Sequence, residues 1–303
     1  MFNLNPAAFK IAFIAIILAL LYRPETTNKD VLHQGQHPRI LLVTAHPDDE
    51  CLFFGPTILS LQPSHPTESV KGDASTPEVY SICLSTGDAD GLGDIRTSEL
   101  AHSLDILGVK PDHRWVLNHP QLKDNITVTW DTSVIADVVR PYVEKHRITT
   151  ILTFDYEGIS GHPNHKSLPR GMRQLIKQLD MTAAAASVAP PRVYALLTVP
   201  LVTKYIGPFA AVLAKVDFRI ARAFELLIMW LVEGLRLLGF KLPVSSAHST
   251  VVPSRLPVFV SGIGEYTQAL LAMRAHHSQL VWFRWLYVSF SRYMWVNEWV
   301  ELR

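Results

Sequence analysis

The chain has 303 residues, 48% of them hydrophobic and 18% charged, with 28 basic against 27 acidic side chains and a net charge of +1. So apolar a chain buries enough surface to fold, which excludes intrinsic disorder, and the even charge balance argues against a nucleic-acid binder. Two cysteines, Cys51 and Cys83, cannot staple a disulfide scaffold.

The first element is apolar. Ile11 to Tyr22 (IAFIAIILALLY) carries no charge, and the stretch reaches sixteen residues from Ala7, with Lys10 inside it. A spanning helix needs about 20 residues, and Lys10 can snorkel toward a headgroup region. Residues 1–22 are therefore expected to be a single membrane anchor, with a signal peptide or a surface-lying helix as alternatives. Arg23, Lys29 and Arg39 follow the segment, so the positive-inside rule keeps the body of the chain cytosolic. An Asn125-Ile126-Thr127 sequon would matter only on the lumenal side. Residues 23–38, polar and rich in Pro, His and Gln, read as a linker.

From residue 39 to 303 the pattern is that of one α/β domain. Ile40–Val43 is a short apolar run typical of a buried parallel strand. A helix over Cys51–Leu61 follows, then a polar loop over Gln62–Pro77 and a strand over Val79–Leu84. The Gly/Asp loop Ser85–Asp94 leads into a helix over Ile95–Leu107, stopped by Gly108. Trp115–Leu117 is a short strand. Asp131 caps a helix running to His146, with Pro141 inside it. Ile148–Phe154 is a strand, His165–Leu179 a helix bent at Pro169, and Val193–Val199 and Val258–Ser261 are later strands. Strands alternating with helices imply a Rossmann-like, mostly parallel sheet with helices on both faces.

Two polar clusters sit where chain pattern changes from strand to helix. Ala45-His46-Pro47-Asp48-Asp49-Glu50 follows the first strand, and Gly161-His162-Pro163-Asn164-His165 follows the strand ending at Phe154. Ligands in open α/β sheets bind beyond the carboxyl ends of strands. One loop can supply an imidazole and a carboxylate and the other a second imidazole, leaving a fourth position open, which is the pattern of catalytic zinc. Three adjacent acids repel one another unless a cation is near.

The sequence resembles the LmbE-like metal-dependent deacetylases, and within them the PIG-L type that de-N-acetylates N-acetylglucosaminyl-phosphatidylinositol in GPI-anchor synthesis. The residues that carry this are LLVTAHPDDE (41–50), STGDADGLG (85–93) with Arg96, Glu99 and LGV (107–109), TFDYEGISGHPNH (153–165) and HSQLVWFRWLYVSFSRYMWVN (277–297). The resemblance implies zinc ligands His46, Asp49 and His165, with Asp48 as general base. It implies that His162 stabilises the oxyanion or protonates the leaving amine. Bacterial relatives carry Asp where this chain has Asn164, which weakens any hold on a His162 imidazolium. Arg96 resembles the family's sugar- or phosphate-contacting arginine, and Asp88 and Asp155 are further candidates for the substrate side, Asp155 as a partner supporting the site. For Arg96 the alternative is an ion pair with Glu99 on the same helix, and for Asp155 a loop role at the strand end.

Two further segments suggest lipid. Residues 209–241 are apolar with scattered charges, and Leu226–Val232 is too short to span, so this stretch is either buried or interfacial. In 282–299, within the segment 280–299, eight of eighteen residues are aromatic. Trp and Tyr favour the headgroup level and arginine suits phosphate, so Trp282, Trp285, Arg284 and Arg292 are expected to face lipid, with core packing of a terminal helix as the alternative. The resemblance then implies a glycophospholipid substrate, a single-pass endoplasmic reticulum location and a cytosolic catalytic domain. A deacetylase of a soluble sugar conjugate and a non-enzymatic membrane adaptor are the competing classes.

Overall fold

The computed structural model describes residues 6–32, 37–62, 76–183, 189–237 and 256–302. Its centre is a parallel sheet of β2 (Arg39–Thr44), β3 (Glu78–Cys83), β4 (Arg114–Val116), β5 (Thr150–Phe154) and β6 (Arg192–Leu196), in the order β4–β3–β2–β5–β6. These strands are apolar along their length because both faces are covered: five of six residues in β2 and all of β5 are buried. The chain winds outward from β2 to β3 and β4, then returns to β5 and β6 on the other side. Right-handed crossovers therefore put the helices of the two halves on opposite faces.

The helices divide accordingly. On one side α2 (Asp49–Phe53), α3 (Gly55–Leu61) and α4 (Gly93–Ile106) pack with α10 (Ile263–Ala275). On the other, α5 (Thr132–Lys145) packs against α7 (Pro163–Ala183), with the short α6 (Gly158–Gly161) leading into α7. Asp131 caps α5 as expected, accepting the amides of Ser133 at 2.7 Å and Val134 at 3.4 Å.

Three antiparallel strands extend the sheet beyond β6, in the order β8 (Val296–Leu302), β7 (Val258–Val260) and β1 (Glu25–Thr27). Two expectations change here. The segment 23–38, read as a linker, supplies β1 and the buried Leu32 (residues 33–36 lie outside the described residues). The aromatic tail also divides at Ser291. Before it, α11 (Trp282–Phe290) stands exposed. After it, Tyr293, Trp295 and Trp299 are buried, with Trp299 stacked on Phe54 and bonded through Nε1 to Thr57 Oγ1 at 2.9 Å. A strand inserted between β6 and β7 must bury its aromatics, so the lipid-facing expectation fails for this half.

Smaller differences have local causes. The helix expected over 51–61 breaks at Phe54, ahead of Gly55-Pro56. The strand expected to reach Val199 ends at Leu196, and the expected loop 62–77 lies largely outside the described residues.

Among the described residues no helix is long and apolar enough to cross a membrane. The N-terminal helix α1 (Pro6–Tyr22) has 17 residues, about 25 Å at 1.5 Å per residue, against a hydrocarbon core of about 30 Å. Its spanning role is thus unsupported. Instead α1 packs on α9 (Phe209–Leu237), whose buried Lys215 donates to the carbonyls of Leu20 at 2.6 Å and Arg23 at 2.5 Å near the end of α1. Lysine there satisfies carbonyls that a helix terminus leaves open. α9 is mostly exposed and apolar: Phe224, Trp230 and Leu227 face outward, whereas Ala210, Ala211 and Ala221 touch the core. The short α8 (Leu201–Lys204) precedes it.

Candidate metal centre

The sheet order reverses between β2 and β5, and at that switch point both clusters meet at the carboxyl ends of the strands. β2 presents His46, Asp48 and Asp49. The loop after β5 presents His162, Asn164 and His165. All but His162 are buried.

The hydrogen bonds assign the ring nitrogens. His46 Nε2 lies 3.0 Å from Asn164 Oδ1 and 3.2 Å from Asp124 Oδ1, so it is the protonated nitrogen. His165 Nδ1 likewise donates to the Gly158 carbonyl at 3.1 Å. The remaining nitrogens, His46 Nδ1 and His165 Nε2, are then both lone pairs, and they face each other at 3.2 Å. Asp49 Oδ1 lies 3.2 Å from the same His165 nitrogen, while its Oδ2 accepts the backbone amides of Ala45 and His46. Ligands about 2.0–2.1 Å from a tetrahedral zinc stand about 3.3 Å apart, so these spacings match tetrahedron edges. Two imidazole lone pairs, with a carboxylate oxygen 3.2 Å from one of them, can hold a divalent cation. Ring nitrogens of His46, His162 and His165 also all lie within 4.8 Å of one another.

Electrostatics agree with that donor set. Burial raises a carboxyl and lowers an imidazole, yet His165 and His46 bring Asp49 down to about 2. Burial would lower His46, but Asp124 and Asp49 carry it up to about 8, so a cation held by Nδ1 takes the place of the proton that this nitrogen binds below that pH. The centre favours positive charge.

Asp48 is held in an unusual state. Its φ of 109° is left-handed, a conformation that costs a non-glycine residue about 1–3 kcal/mol. Its amide donates to Glu50 Oε2 at 3.1 Å. Glu50 Oε1 in turn takes Ser103 Oγ at 2.5 Å and His276 Nε2 at 2.7 Å, all buried. Asp48 Oδ2 meets Arg284 Nη2 at 2.8 Å. Burial raises the Asp48 carboxyl to about 6, against the pull of Arg284. That value suits a base working near neutral pH.

His162 is partly buried beside His46, with ring centroids 4.6 Å apart. Its Nδ1 accepts the Asn164 amide at 3.2 Å, leaving Nε2 as the N–H, 3.8 Å from Asp124 Oδ1. Burial, with His46 and His165 nearby, lowers it to about 4, so it stands neutral as a hydrogen-bond donor. Asn164 does not orient this ring through its side chain: its Oδ1 holds His46 and its Nδ2 donates to Val128 O at 2.8 Å. The carboxylate near His162 is Asp124, which the sequence does not flag because it lies in a polar loop 38 positions before His162, beside a sequon that says nothing of this chemistry.

The other expected site residues fall in different places. Arg96 does reach the edge of the centre, 3.7 Å from Asp124, and donates to Gly87 O at 2.7 Å. The alternative Arg96–Glu99 pair is not what Glu99 does, since it accepts from Ser278 N at 2.7 Å and Ser278 Oγ at 2.6 Å. Asp88 is exposed and accepts the Gly93 amide at 2.8 Å, fixing the start of α4 rather than facing the centre. Asp155 spends its carboxylate on Gly158 N at 3.0 Å, Thr198 N at 2.6 Å and Thr198 Oγ1 at 2.7 Å, so it ties the loop that presents Gly158 O to His165. Arg292 does not face lipid: it pairs with Glu298 at 2.6 Å. Arg284 turns inward to Asp48, while Trp282 and Trp285 are 75% and 44% exposed.

Comparison with known proteins identifies the family. Residues 41–176 match the family model PIG-L, described as GlcNAc-PI de-N-acetylase. The chain is 34% identical over 264 residues to the Bos taurus N-acetylglucosaminyl-phosphatidylinositol de-N-acetylase, covering 87% of this chain and 83% of that protein. It is 30% identical to the probable enzyme of the same name from Schizosaccharomyces pombe, covering 84% and 83%. In fold it is similar to N,N'-diacetylchitobiose deacetylase from Pyrococcus horikoshii, with a TM-score of 0.50 at 15% identity over 100% of this chain and 95% of that one. Buried imidazoles and a carboxylate converging at the switch point, together with this similarity over most of the chain, identify it as a member of the PIG-L family of deacetylases.

Proposed function

We propose that this protein is a zinc-dependent de-N-acetylase of N-acetylglucosaminyl-phosphatidylinositol, yielding glucosaminyl-phosphatidylinositol and acetate, the second step of GPI-anchor biosynthesis. The observation that carries the reading is the approach of His165 Nε2 to both His46 Nδ1 and Asp49 Oδ1, at 3.2 Å each, beside the strained, buried Asp48. The substrate follows the names of the relatives that match most of the chain.

His46, Asp49 and His165 would hold the cation. A divalent cation there supplies a Lewis acid for the amide carbonyl and lowers the pKa of water. Asp48 accepts the proton of the attacking water and returns it to the amine nitrogen as the C–N bond breaks, giving acetate and the free amine. The neutral His162 donates its Nε2–H to the developing oxyanion. Arg96 binds the sugar side of the substrate at the rim.

The membrane contact we assign is interfacial. Ile11, Phe13 and Ile16 of α1, Phe224 and Trp230 of α9, and Trp282 and Trp285 of α11 are exposed apolar groups, and exposed patches of this kind mark membrane or protein contacts. By the resemblance, the membrane is the endoplasmic reticulum and the catalytic domain is cytosolic. The test is acetate release by the purified protein from N-acetylglucosaminyl-phosphatidylinositol in phosphatidylcholine vesicles. Turnover of the glycolipid supports the reading, and inertness toward it while a soluble acetylated sugar is hydrolysed overturns it.

A further inference from the structure

We infer that Arg284 determines specificity for a phosphate-bearing substrate, sharing its guanidinium between Asp48 and the substrate phosphodiester. The inference rests on the glycolipid reading above.

Arg284 is the one point at which the exposed helix α11 enters the catalytic centre through charge: its Nη2 lies 2.8 Å from Asp48 Oδ2. The two side chains are differently placed. That of Asp48 is 6% exposed and that of Arg284 29%, so the guanidinium runs from a buried carboxylate to the mouth of the site. A guanidinium offers five N–H donors in a planar fork, more than one carboxylate can accept. Carboxylate and phosphate are the two anions that this fork fits.

The helix around Arg284 supplies the rest. Trp282, Phe283, Trp285 and Leu286 are all exposed on its two sides. Acyl chains lodged along this surface carry their phosphodiester past Arg284 before the sugar reaches Asp48. One turn further on, Tyr287 packs edge-on against Phe53 at 5.7 Å, and Phe53 sits on the same short helix as Asp49. The position of Arg284 is therefore registered to the catalytic helix. Of the neighbouring arginines, Arg292 pairs with Glu298, and Arg96 lies beside Asp124 and Asp90, where the reading above places the sugar.

The experiment compares two substrates that differ in the phosphate, using the metal-loaded full chain. These are N-acetylglucosaminyl-phosphatidylinositol in phosphatidylcholine vesicles and phosphate-free N-acetylglucosaminyl-inositol. We expect Arg284→Gln to lower kcat/KM on the phosphate-bearing substrate at least tenfold more than on the phosphate-free one, with Arg284→Lys between. Equal losses on both substrates, or no loss, overturn the proposal, because an arginine that only holds Asp48 cannot distinguish them. Calorimetric binding of glycerophosphoinositol provides an arm independent of turnover. Its affinity should fall at least tenfold in Arg284→Gln, and an unchanged affinity overturns the proposal. If Arg284→Gln does not fold, Arg284→Lys decides both arms. Inactivity of the unmutated protein on the glycolipid defeats the substrate reading instead, and the calorimetric arm still decides whether Arg284 binds phosphodiester.

Discussion

His46 Nδ1 and His165 Nε2 face each other across 3.2 Å, and the opposite nitrogen of each ring is already bonded to an oxygen. Two acceptors so placed, with Asp49 beside them, separate the roles of adjacent carboxylates. Asp49→Ala should lose both bound metal and activity. Asp48→Asn should keep about one equivalent of metal while turnover falls by about 10²–10⁴, the usual contribution of a positioned base. Elemental analysis beside acetate release checks both, and full turnover in Asp48→Asn removes the base assignment.

Asp124 holds the protonated nitrogen of His46 at 3.2 Å. Outer partners of a metal-binding histidine fix its tautomer, and their loss typically costs 10–100-fold in affinity (about that range is expected here). Asp124→Asn should weaken metal binding accordingly in a chelator competition. An affinity equal to wild type would show that Asn164 alone orients His46.

Gly158 adopts φ +65°, and a Cβ built there would stand 2.8 Å from His165 Cβ. Gly158→Ala therefore meets both backbone strain and a fixed neighbour. A loss of about 1–3 kcal/mol in unfolding free energy is expected, with metal binding impaired because Gly158 O orients His165. An unchanged denaturation midpoint contradicts this.

His276 gives a pH prediction. Burial would lower it, but Glu50 at 2.7 Å outweighs burial and raises it above its usual 6.5. The groups around it are Glu50, Gln279, Asp48 and Glu99. A pKa raised on folding contributes stability that is full below about pH 6.5 and is lost as pH rises through the folded value. The melting-temperature gap between wild type and His276→Gln should therefore be widest near pH 6 and narrow toward alkaline pH. A gap independent of pH means that His276 is not charged in the fold.

Trp282 and Trp285 project from α11 at 75% and 44% exposure. Trp282→Ser with Trp285→Ser should reduce co-flotation with vesicles while leaving hydrolysis of a water-soluble acetylated sugar within about twofold, since exposed side chains contribute little to folding. Retained flotation would assign membrane attachment to α1 and α9.

The sequence was most legible where short-range chemistry dominates. The strand–helix junctions at His46 and His165 could be read because apolar runs end there in polar residues, whereas the strand order that puts both at one switch point comes only from the folded sheet. What escaped it depends on distant packing. Asp124 reaches His46 only after the chain has folded back. Arg284 sits in an aromatic run whose composition suggests lipid, yet its head group turns to Asp48. Trp299 shares that composition but enters the sheet as β8, because the edge of β6 needs a partner strand. The helix α1 is apolar enough to suggest an anchor, but its 17 described residues are too few to support a span, and its end is held by Lys215, a contact no sequence pattern shows.

The central claim is that the cluster of His46, Asp49 and His165 is a metal site that drives amide hydrolysis. The direct measurement is acetate release from N-acetylglucosaminyl-phosphatidylinositol before chelation, after chelation and after zinc is restored, with bound metal quantified at each stage. The account predicts loss with the chelator and recovery with about one equivalent of zinc, and no recovery in Asp49→Ala. Undiminished release from protein verified to be free of metal would contradict it.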